Sequence, residues 1–521
     1  MDASHTNMEV GRSHQPSRPC LTILDLPDEL LLDIFGLVEY LDPALPHHIA
    51  YTGTKDIKNA RLVCRRFCAV SSQLLGRVVC IQFNEESLAR LDEISRHPTI
   101  AKGVRTIRVV LHFYNRSFVD LDRFGSYHAK VLDYRLHDFA DNQRSPALRV
   151  PEETASALIA EGRAVAAALR RLAPANPDAG HHSLGDQDHQ RALLDEIHRE
   201  YLTRLEKQES LLESAKFFRL LGAAIARMPA ARKLEFKDRA FETIEKHQLL
   251  VPGRDVWGAV RRLTHQPING REAKCDEDLE LPNYQCVLRV IDAVRSAGAS
   301  LNGIDIKLAN SGYPGGLAPA PHLRQEFSSG MQQLKEFSLV YNDGRYVAHD
   351  ADHLEAFLSA CLDTPSLQKL SLDLGWRRPD SEKIDLGKVM GSRARPNLTN
   401  IFLSRVGIHL SDLELFLEGL PESLDVLIQE GTHLLSGTWQ EALDAFRRKR
   451  GRVIRLGGRP WGAECDDMDG DDIVAMFYPT HSNWNRSAVD LYISNQFPRM
   501  LNPFQARKDG IGLAEVLGTL V

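Results

Sequence analysis

The chain has 521 residues, 43% of them apolar and 26% charged, with a formal net charge of −6; this is ordinary globular composition, with no overall attraction for nucleic acid or anionic lipid. The first twenty residues lack a cationic start followed by an apolar core, and no apolar run reaches the roughly eighteen residues a membrane span needs, so neither secretion nor membrane insertion is expected. The eight cysteines are scattered without a CxxC pair, which fits a reducing compartment and leaves the sequons at Asn115, Asn397 and Asn485 without a glycosylation role.

Residues 1–20 read as a disordered start. The next stretch, LTILDLPDELLLDIF, holds more leucine, isoleucine and phenylalanine than a short segment needs. Pro27 suits the first turn of a helix, and Asp28 and Glu29 set carboxylates against the positive end of its dipole. Leu30, Leu31, Ile34, Phe35 and Val38 then share one wide face, with Leu32 and Leu37 adding a second apolar edge. After the Pro-containing connector 42–55, the run DIKNARLVCRRFCAVSSQLL places Ile57, Leu62, Val63, Phe67, Val70 and Leu74 at roughly helical spacing, and the module reads as a helical trio.

The pairing of Leu26, Pro27, Glu29, Leu30, Leu31 and Ile34 with a later Leu62, Val63, Cys64, Arg65 and Phe67 resembles an F-box over residues 23 to about 75. The connector is longer than usual in that family, and Phe67 stands where tryptophan is common. The resemblance implies a small all-α module, 21–75, docking on the Skp-family adaptor of a cullin-RING ubiquitin ligase. Its implied adaptor-facing set is Leu26, Pro27, Leu30, Leu31, Ile34, Leu62, Val63 and Phe67. The plainer alternative is two amphipathic helices closing the end of a larger core.

Beyond residue 75 an apolar-x-x-apolar-x-apolar pattern recurs: Val78/Ile81/Phe83, Val104/Ile107/Val109, Leu301/Ile304/Ile306, Leu334/Phe337/Leu339, Leu367/Leu370/Leu372 and Leu398/Ile401/Leu403. Ala231/Leu234/Phe236 and Leu424/Leu427 are weaker copies. The last five copies start at 301, 334, 367, 398 and 424, a near-constant period that points to a solenoid. Helix-like stretches such as 350–365 and 410–422 lie between the triplets. Parallel strands with helices on the convex side are therefore expected for 76–460, an α/β solenoid resembling an irregular leucine-rich-repeat array. Only LKEFSLVYN, ending at Asn342, has the full repeat form, and a non-repetitive α/β domain is the alternative.

The regularity breaks at 114–300, where 151–173 and 188–228 read as helices of an insertion at about 145–228, divided by a loop at 174–187. Leu194, Ile197, Tyr201, Leu205, Leu212 and Ala215 make a stripe that Gln208 interrupts; packing against the array is expected, with a coiled coil as the alternative. Residues 266–283 and 309–330 read as exposed loops, ECDDMDGDD at 464–472 as an acidic loop without calcium-ligand spacing, and 461–521 as a capping segment or tail.

Local signatures of catalysis are missing: no GxSxG, Walker, GxGxxG or HExxH motif is present. No cofactor and no metal site is expected. Cys64 and Cys68 lie a turn apart without companion histidines, and His47, His48, His181 and His182 read as loop residues. The run RRKRGR at 447–452 ends a helix, where cations suit the dipole and Gly451 supplies a stop; a nuclear-import address or phosphate contact is the alternative.

The resemblance implies a non-catalytic substrate receptor of a ubiquitin ligase, cytoplasmic or nuclear, that binds the adaptor and through it a cullin. Its target is an unidentified protein; nucleic acid and membrane are not expected as partners. Target contacts are expected from strand residues that alternate with the buried triplets, namely Asp305, Lys307, Glu336, Ser338, Lys369, Ser371, Asp373, Asn400, Phe402 and Ser404. A non-degradative scaffold, or an enzyme with a dispersed site in the α/β region, are the competing readings.

Overall fold

The computed structural model describes residues 22–39, 52–142, 151–172, 184–238, 261, 264, 267–268, 284–308, 317–341, 348–375, 384–390, 395–422, 424, 426–449, 453–478 and 486–512. The chain divides between Leu75 and Gly76 into two compact units. The expected disordered start at 1–20, His47, His48, the loop residues 174–183 with His181 and His182, residues 269–283 and 309–316, Asn342, Asn485 and the 450–452 part of the basic run all lie outside the described residues.

The first unit is helical. A 3-10 turn at Ile23–Asp25 is closed by the Asp25 carboxylate, which accepts from the Thr22 N–H at 2.7 Å and the Thr22 hydroxyl at 2.8 Å. Helices α1 (Asp28–Glu39), α2 (Thr52–Val63) and α3 (Arg65–Ser71) follow. Their core is Leu31, Phe35, Ile57, Phe67, Val70 and Leu74, with the Phe35 and Phe67 rings edge to face at 5.0 Å.

The 56–75 run, whose apolar residues keep roughly helical spacing, is divided between two helices. Cys64 takes an extended backbone (φ −158°, ψ 167°) and its sulfur accepts the Phe67 N–H at 3.4 Å, so it ends α2 and caps α3. The break changes which residues share a face. Phe67, Val70 and Leu74 point inward with Ile57, while Leu62 and Val63 turn to solvent.

The second unit is built on strands β1 (Val78–Ile81), β2 (Thr106–Val110), β3 (Lys233–Lys237), β4 (Gly303–Leu308), β5 (Glu336–Tyr341), β6 (Lys369–Asp373), β7 (Asn400–Ser404), β8 (Gly407–His409), β9 (Val426–Glu430), β10 (His433–Ser436) and β11 (Val453–Gly457). Nine of them form one parallel sheet in the order β1-β2-β3-β4-β5-β6-β7-β9-β11. Strands β8 and β10 form a short parallel ladder of their own.

Parallel neighbours need crossovers, and helices supply them: α4 (Glu85–Arg96), α5 (Ile100–Gly103), α6 (Leu121–Asn142), α7 (Glu152–Leu172), α8 (Leu184–Glu213), α9 (Ala215–Ala226), α10 (Gln285–Ser296), α11 (Arg324–Gly330), α12 (Ala348–Leu362), α13 (Leu386–Met390), α14 (Leu410–Gly419) and α15 (Trp439–Arg448). Helices α16 (Gly470–Phe477), α17 (Ala488–Ile493) and α18 (Pro503–Lys508) close the described chain.

The recurrent triplet explains the sheet. Its last two residues alternate along strands β2–β7 and meet their counterparts in register, as in Ile107–Leu234–Ile304–Phe337–Leu370–Ile401. All six are buried in a core shared with the crossover helices. The two copies that look weaker in sequence, at 231 and 424, lead into full strands β3 and β9, while Val78 faces solvent in place of starting the first copy. Each strand from β7 onward leaves the sheet through a left-handed residue at the same register: Arg405 (φ 59°), Gly431 (φ 57°) and Gly458 (φ 66°).

The insertion also has different limits. It opens with α6, and α9 belongs to the main core through Phe217, Phe218, Leu221 and Ile225. Helices α6–α8 enclose a second core of Phe118, Phe124, Tyr127, Leu169, Leu194, Ile197, Tyr201 and Leu205, which uses the stripe that could have made a coiled coil. Gln208 does not interrupt that packing: its buried amide accepts the Tyr114 N–H at 2.8 Å and donates to the His112 carbonyl at 3.3 Å.

The acidic 464–472 segment is a helix start in part, with Asp469 capping α16 and Glu464 accepting the Trp439 N–H at 2.7 Å at the start of α15. At the last strand, the buried Asp490 carboxylate accepts the Leu456 N–H at 2.9 Å, so α17 shields the backbone of β11.

Candidate functional site

Helix α1 sorts its apolar residues into two faces. Leu31 and Phe35 fill the unit's core, and Leu30 (49% exposed), Ile34 (37%) and Leu37 (74%) look outward at i, i+4 and i+7. Leu62 (85% exposed) and Val63 (68%) add apolar surface at the end of α2. Of the expected adaptor-facing set, Leu31 and Phe67 are therefore corrected: both are buried within the unit and offer no surface to a partner. Leu26 is half-buried and Pro27 exposed.

Arg66 fixes the start of α1. Its guanidinium donates to the Leu24 and Leu26 carbonyls and to Asp28 Oδ1, the last at 2.9 Å from Nε. That clamp ties α3 to the turn from which Leu30 and Ile34 project, and sequence spacing gave no hint of it.

On the sheet, residues between the triplet positions form in-register rows. One row runs Cys80–Arg108–Glu235–Asp305–Ser338–Ser371–Phe402, and another Lys237–Lys307–Val340–Asp373–Ser404. Arg108 meets Glu235 at 2.7 Å and Lys369 meets Glu336 at 2.9 Å, while Arg405 pairs with Asp373. Burial works to raise the Glu235 carboxyl, but Arg108 and Lys237 outweigh it and hold it below the usual range. Burial raises the Cys80 thiol and lowers the Lys237 ammonium.

Among the expected target-contacting residues, Asp305 and Ser404 are buried, so they are weak contact residues. Lys307, Ser338, Asp373 and Phe402 are half-buried, Glu336 is half-buried in its ion pair, and Lys369 is exposed. Arg108, Glu235 and Lys237 also stand in these rows, and Lys233 in the row through Thr106 and Gly303; none was anticipated, although Ile107–Arg108–Val109 and Leu234–Glu235–Phe236 carry the same alternation. The basic run is largely held by the fold: Arg447 donates to the carbonyls of Phe497, Pro498 and Met500, Arg448 pairs with Glu414 at 2.8 Å, and Lys449 donates to the Leu420 carbonyl.

One serine, histidine and carboxylate approach one another on the short ladder. His409 Nδ1 lies 2.8 Å from Ser436 Oγ, and its Nε2 is 3.9 Å from Asp385 Oδ2. The second distance exceeds hydrogen-bond reach for an acid–base relay, and the first links β8 to β10. Among the described residues no group of three or more histidine, cysteine or acidic side chains is placed to hold a metal ion, and no helix is long and apolar enough to cross a membrane.

The exposed apolar faces of α1 and α2 lie within a segment of recognisable family. Residues 23–82 match the F-box-like family. The match spans all of α1–α3 and runs on through β1, and it covers a small part of the chain. No curated protein matches the chain. The F-box-like module is thus a helical fold with its own core and an uncovered apolar surface, followed by a parallel-sheet unit.

Proposed function

We propose that this chain is the substrate-recognition subunit of a Skp–cullin–F-box ubiquitin ligase, working in the cytoplasm or nucleus. The F-box-like module holds a Skp-family adaptor, and the sheet unit, an irregular leucine-rich-repeat-like solenoid, holds a target protein. The observation that carries the reading is the coincidence of the F-box-like match with Leu30, Ile34, Leu37, Leu62 and Val63 exposed on the same small unit. Burying an apolar side chain is worth roughly 1.5–3 kcal/mol, so a few of these suffice to anchor an interface. The ligase role itself needs no reacting group from this chain: holding a target beside a ubiquitin-charged enzyme raises its effective concentration.

The solenoid reading is supported by the strand order, which follows the chain without a reversal, and by helices that pack against one another in the same sequence, α12 on α13, α13 on α14 and α14 on α15. That neighbour-to-neighbour arrangement is the defining property of repeat arrays.

Co-elution of the intact chain with a purified Skp-family adaptor tests the proposal. The expected result is a stable complex that the double change Leu30→Asp, Ile34→Asp abolishes while the thermal unfolding of the sheet unit stays put. A folded wild-type chain that passes the adaptor by without binding overturns it. Accumulation of candidate targets after deletion of residues 21–75 separates a degradative receptor from a scaffold.

A further inference from the structure

Cations on the sheet generally have a cross-strand or same-strand acid, as Arg108 has Glu235, Lys307 has Asp305 at 3.5 Å, and Lys369 has Glu336. The edge where the strands begin is different. There a continuous backbone ladder runs one residue before the strands: Arg105 N–H donates to the Arg77 carbonyl (2.8 Å), Arg232 to Arg105 (3.1 Å), Asn302 to Arg232 (2.8 Å), Lys335 to Asn302 (2.8 Å) and Gln368 to Lys335 (2.7 Å).

Stacking in parallel register therefore sets Arg77, Arg105, Arg232 and Lys335, each just before β1, β2, β3 and β5, in one row. Neighbouring strands lie about 4.8 Å apart. Arg105, Arg232 and Lys335 are exposed. Lys233 follows in the adjoining row, its aliphatic stem 3.2 Å from where a Cβ on Gly303 of β4 would stand. Among the described residues, no acidic side chain forms an ion pair with Arg105, Arg232, Lys233 or Lys335. Like charges held in register repel, and the nearest acids, Glu235 beside Lys233 and Glu336 paired with Lys369, stand inside the strands rather than in the row before them.

We propose that the strand-start edge of β2–β5 is a docking surface for an acidic polypeptide segment, whose Asp and Glu carboxylates are held by Arg105, Arg232, Lys233 and Lys335. This deepens the receptor reading, on which it rests for the partner being a protein. From Arg105 to Lys335 is three strand spacings, roughly 14 Å, which four or five residues of extended chain span. Extended chain repeats its side chains on one face every two residues, about 6.6 Å, a distance that long, unpaired arginine and lysine side chains bridge. Single-stranded nucleic acid fits less well, because the row has no aromatic residue on which bases could stack.

The test is fluorescence anisotropy of the intact chain with a fluorescein-labelled peptide of alternating Glu and Ser, about ten residues long so as to overspan the row. Binding that weakens as salt is added, and that falls roughly tenfold in Arg105→Glu, Arg232→Glu, supports the proposal when Lys508→Glu, an exposed charge change on α18, leaves it unaltered. The Arg232→Gln, Lys335→Gln pair is a milder second variant with the same expected direction, for use if the reversals lower the unfolding temperature. No binding by the intact chain, equal loss in Lys508→Glu, or tighter binding of a single-stranded oligonucleotide of equal charge each overturns it. Adaptor capture by the same samples is read separately, so loss of the adaptor reading and loss of the acidic-segment reading are distinguishable.

Discussion

Two helical assemblies in this chain are built to opposite ends. Helices α1–α3 bury six residues in their core and leave Leu30, Ile34, Leu37, Leu62 and Val63 exposed. Helices α6–α8 close around Phe118, Phe124, Tyr127 and Tyr201, and among the described residues of 113–213 Val119 is the exposed large apolar side chain. The contrast shows that the insertion's helices do not share the exposed apolar surplus of α1 and α2. The insertion hides its apolar residues and even encloses polar ones, whereas the F-box-like module keeps apolar surface in water.

The comparison breaks if the module's core is not its own. Phe67→Ala removes the ring that meets Phe35 at 5.0 Å and is expected to cost about 3–5 kcal/mol, seen as an early unfolding transition in calorimetry and as loss of adaptor binding together. If Phe67→Ala left the module's unfolding in place, Phe67 would not be core, and the division of α1 and α3 into inner and outer faces would fall with it.

Polar burial gives the insertion its own signature. His128 is enclosed by Phe118, Phe124, Tyr127 and Tyr201, and neither of its ring nitrogens has a hydrogen-bond partner among the described residues. Burial, with Arg135 and His198 nearby, pushes its pKa down to about 3 from the ordinary 6.5. The sign follows from linkage: the folded insertion excludes a proton that the unfolded chain takes up, so the stabilisation is complete above pH 6.5 and is lost as pH falls from there toward 3. At about 1.4 kcal/mol per pH unit, roughly 2 kcal/mol is gone by pH 5. His128→Phe should flatten that slope in acid-unfolding curves; an unchanged slope would place the titration elsewhere.

Gln208 tests the same enclosure at smaller amplitude. Gln208→Leu fills the space but removes the amide that serves Tyr114 and His112, and a cost of about 1–2 kcal/mol in urea unfolding is expected. A neutral result would mean that the apolar stripe, not the buried amide, sets the join between α8 and the segment after β2.

Much of the sheet was legible because burial of alternate residues leaves a mark with a period of two, and the crossover helices space those marks evenly. Ile304 and Ile306, Phe337 and Leu339, Leu370 and Leu372 could be read directly. The same rule undersold β3 and β9, since Ala231 is a small first member and the 424 copy shows only two apolar members. Helix α6 was missed because its inward residues mix Phe124, Tyr127 and His128 with Val131, Leu132 and Leu136, without the recurrent strand triplet that marks the sheet. In the F-box-like module the motif was legible but its facing was not: spacing alone carries a helix through Val63 and Cys64, while the structure stops it there with a cysteine cap. The charged row at the strand starts was invisible for another reason, because residues 105, 232 and 335 become neighbours only through parallel register.

That cap makes Leu62 and Val63 the sharpest point of the comparison and the smallest expected change in stability. Were 56–75 one continuous helix, they would take part in the same apolar face as Phe67, and Leu62→Ser, Val63→Ser would cost several kcal/mol, as large-to-small core changes do, at roughly 2–5 each. With α2 ending at Val63 and both side chains exposed, the double change should stay within about 0.5 kcal/mol per site in thermal unfolding. Adaptor affinity should nonetheless drop, because burial in the complex is what those residues have left to give. Unchanged stability with unchanged adaptor binding would confine the docking surface to α1, and reduced stability would return Leu62 and Val63 to the core.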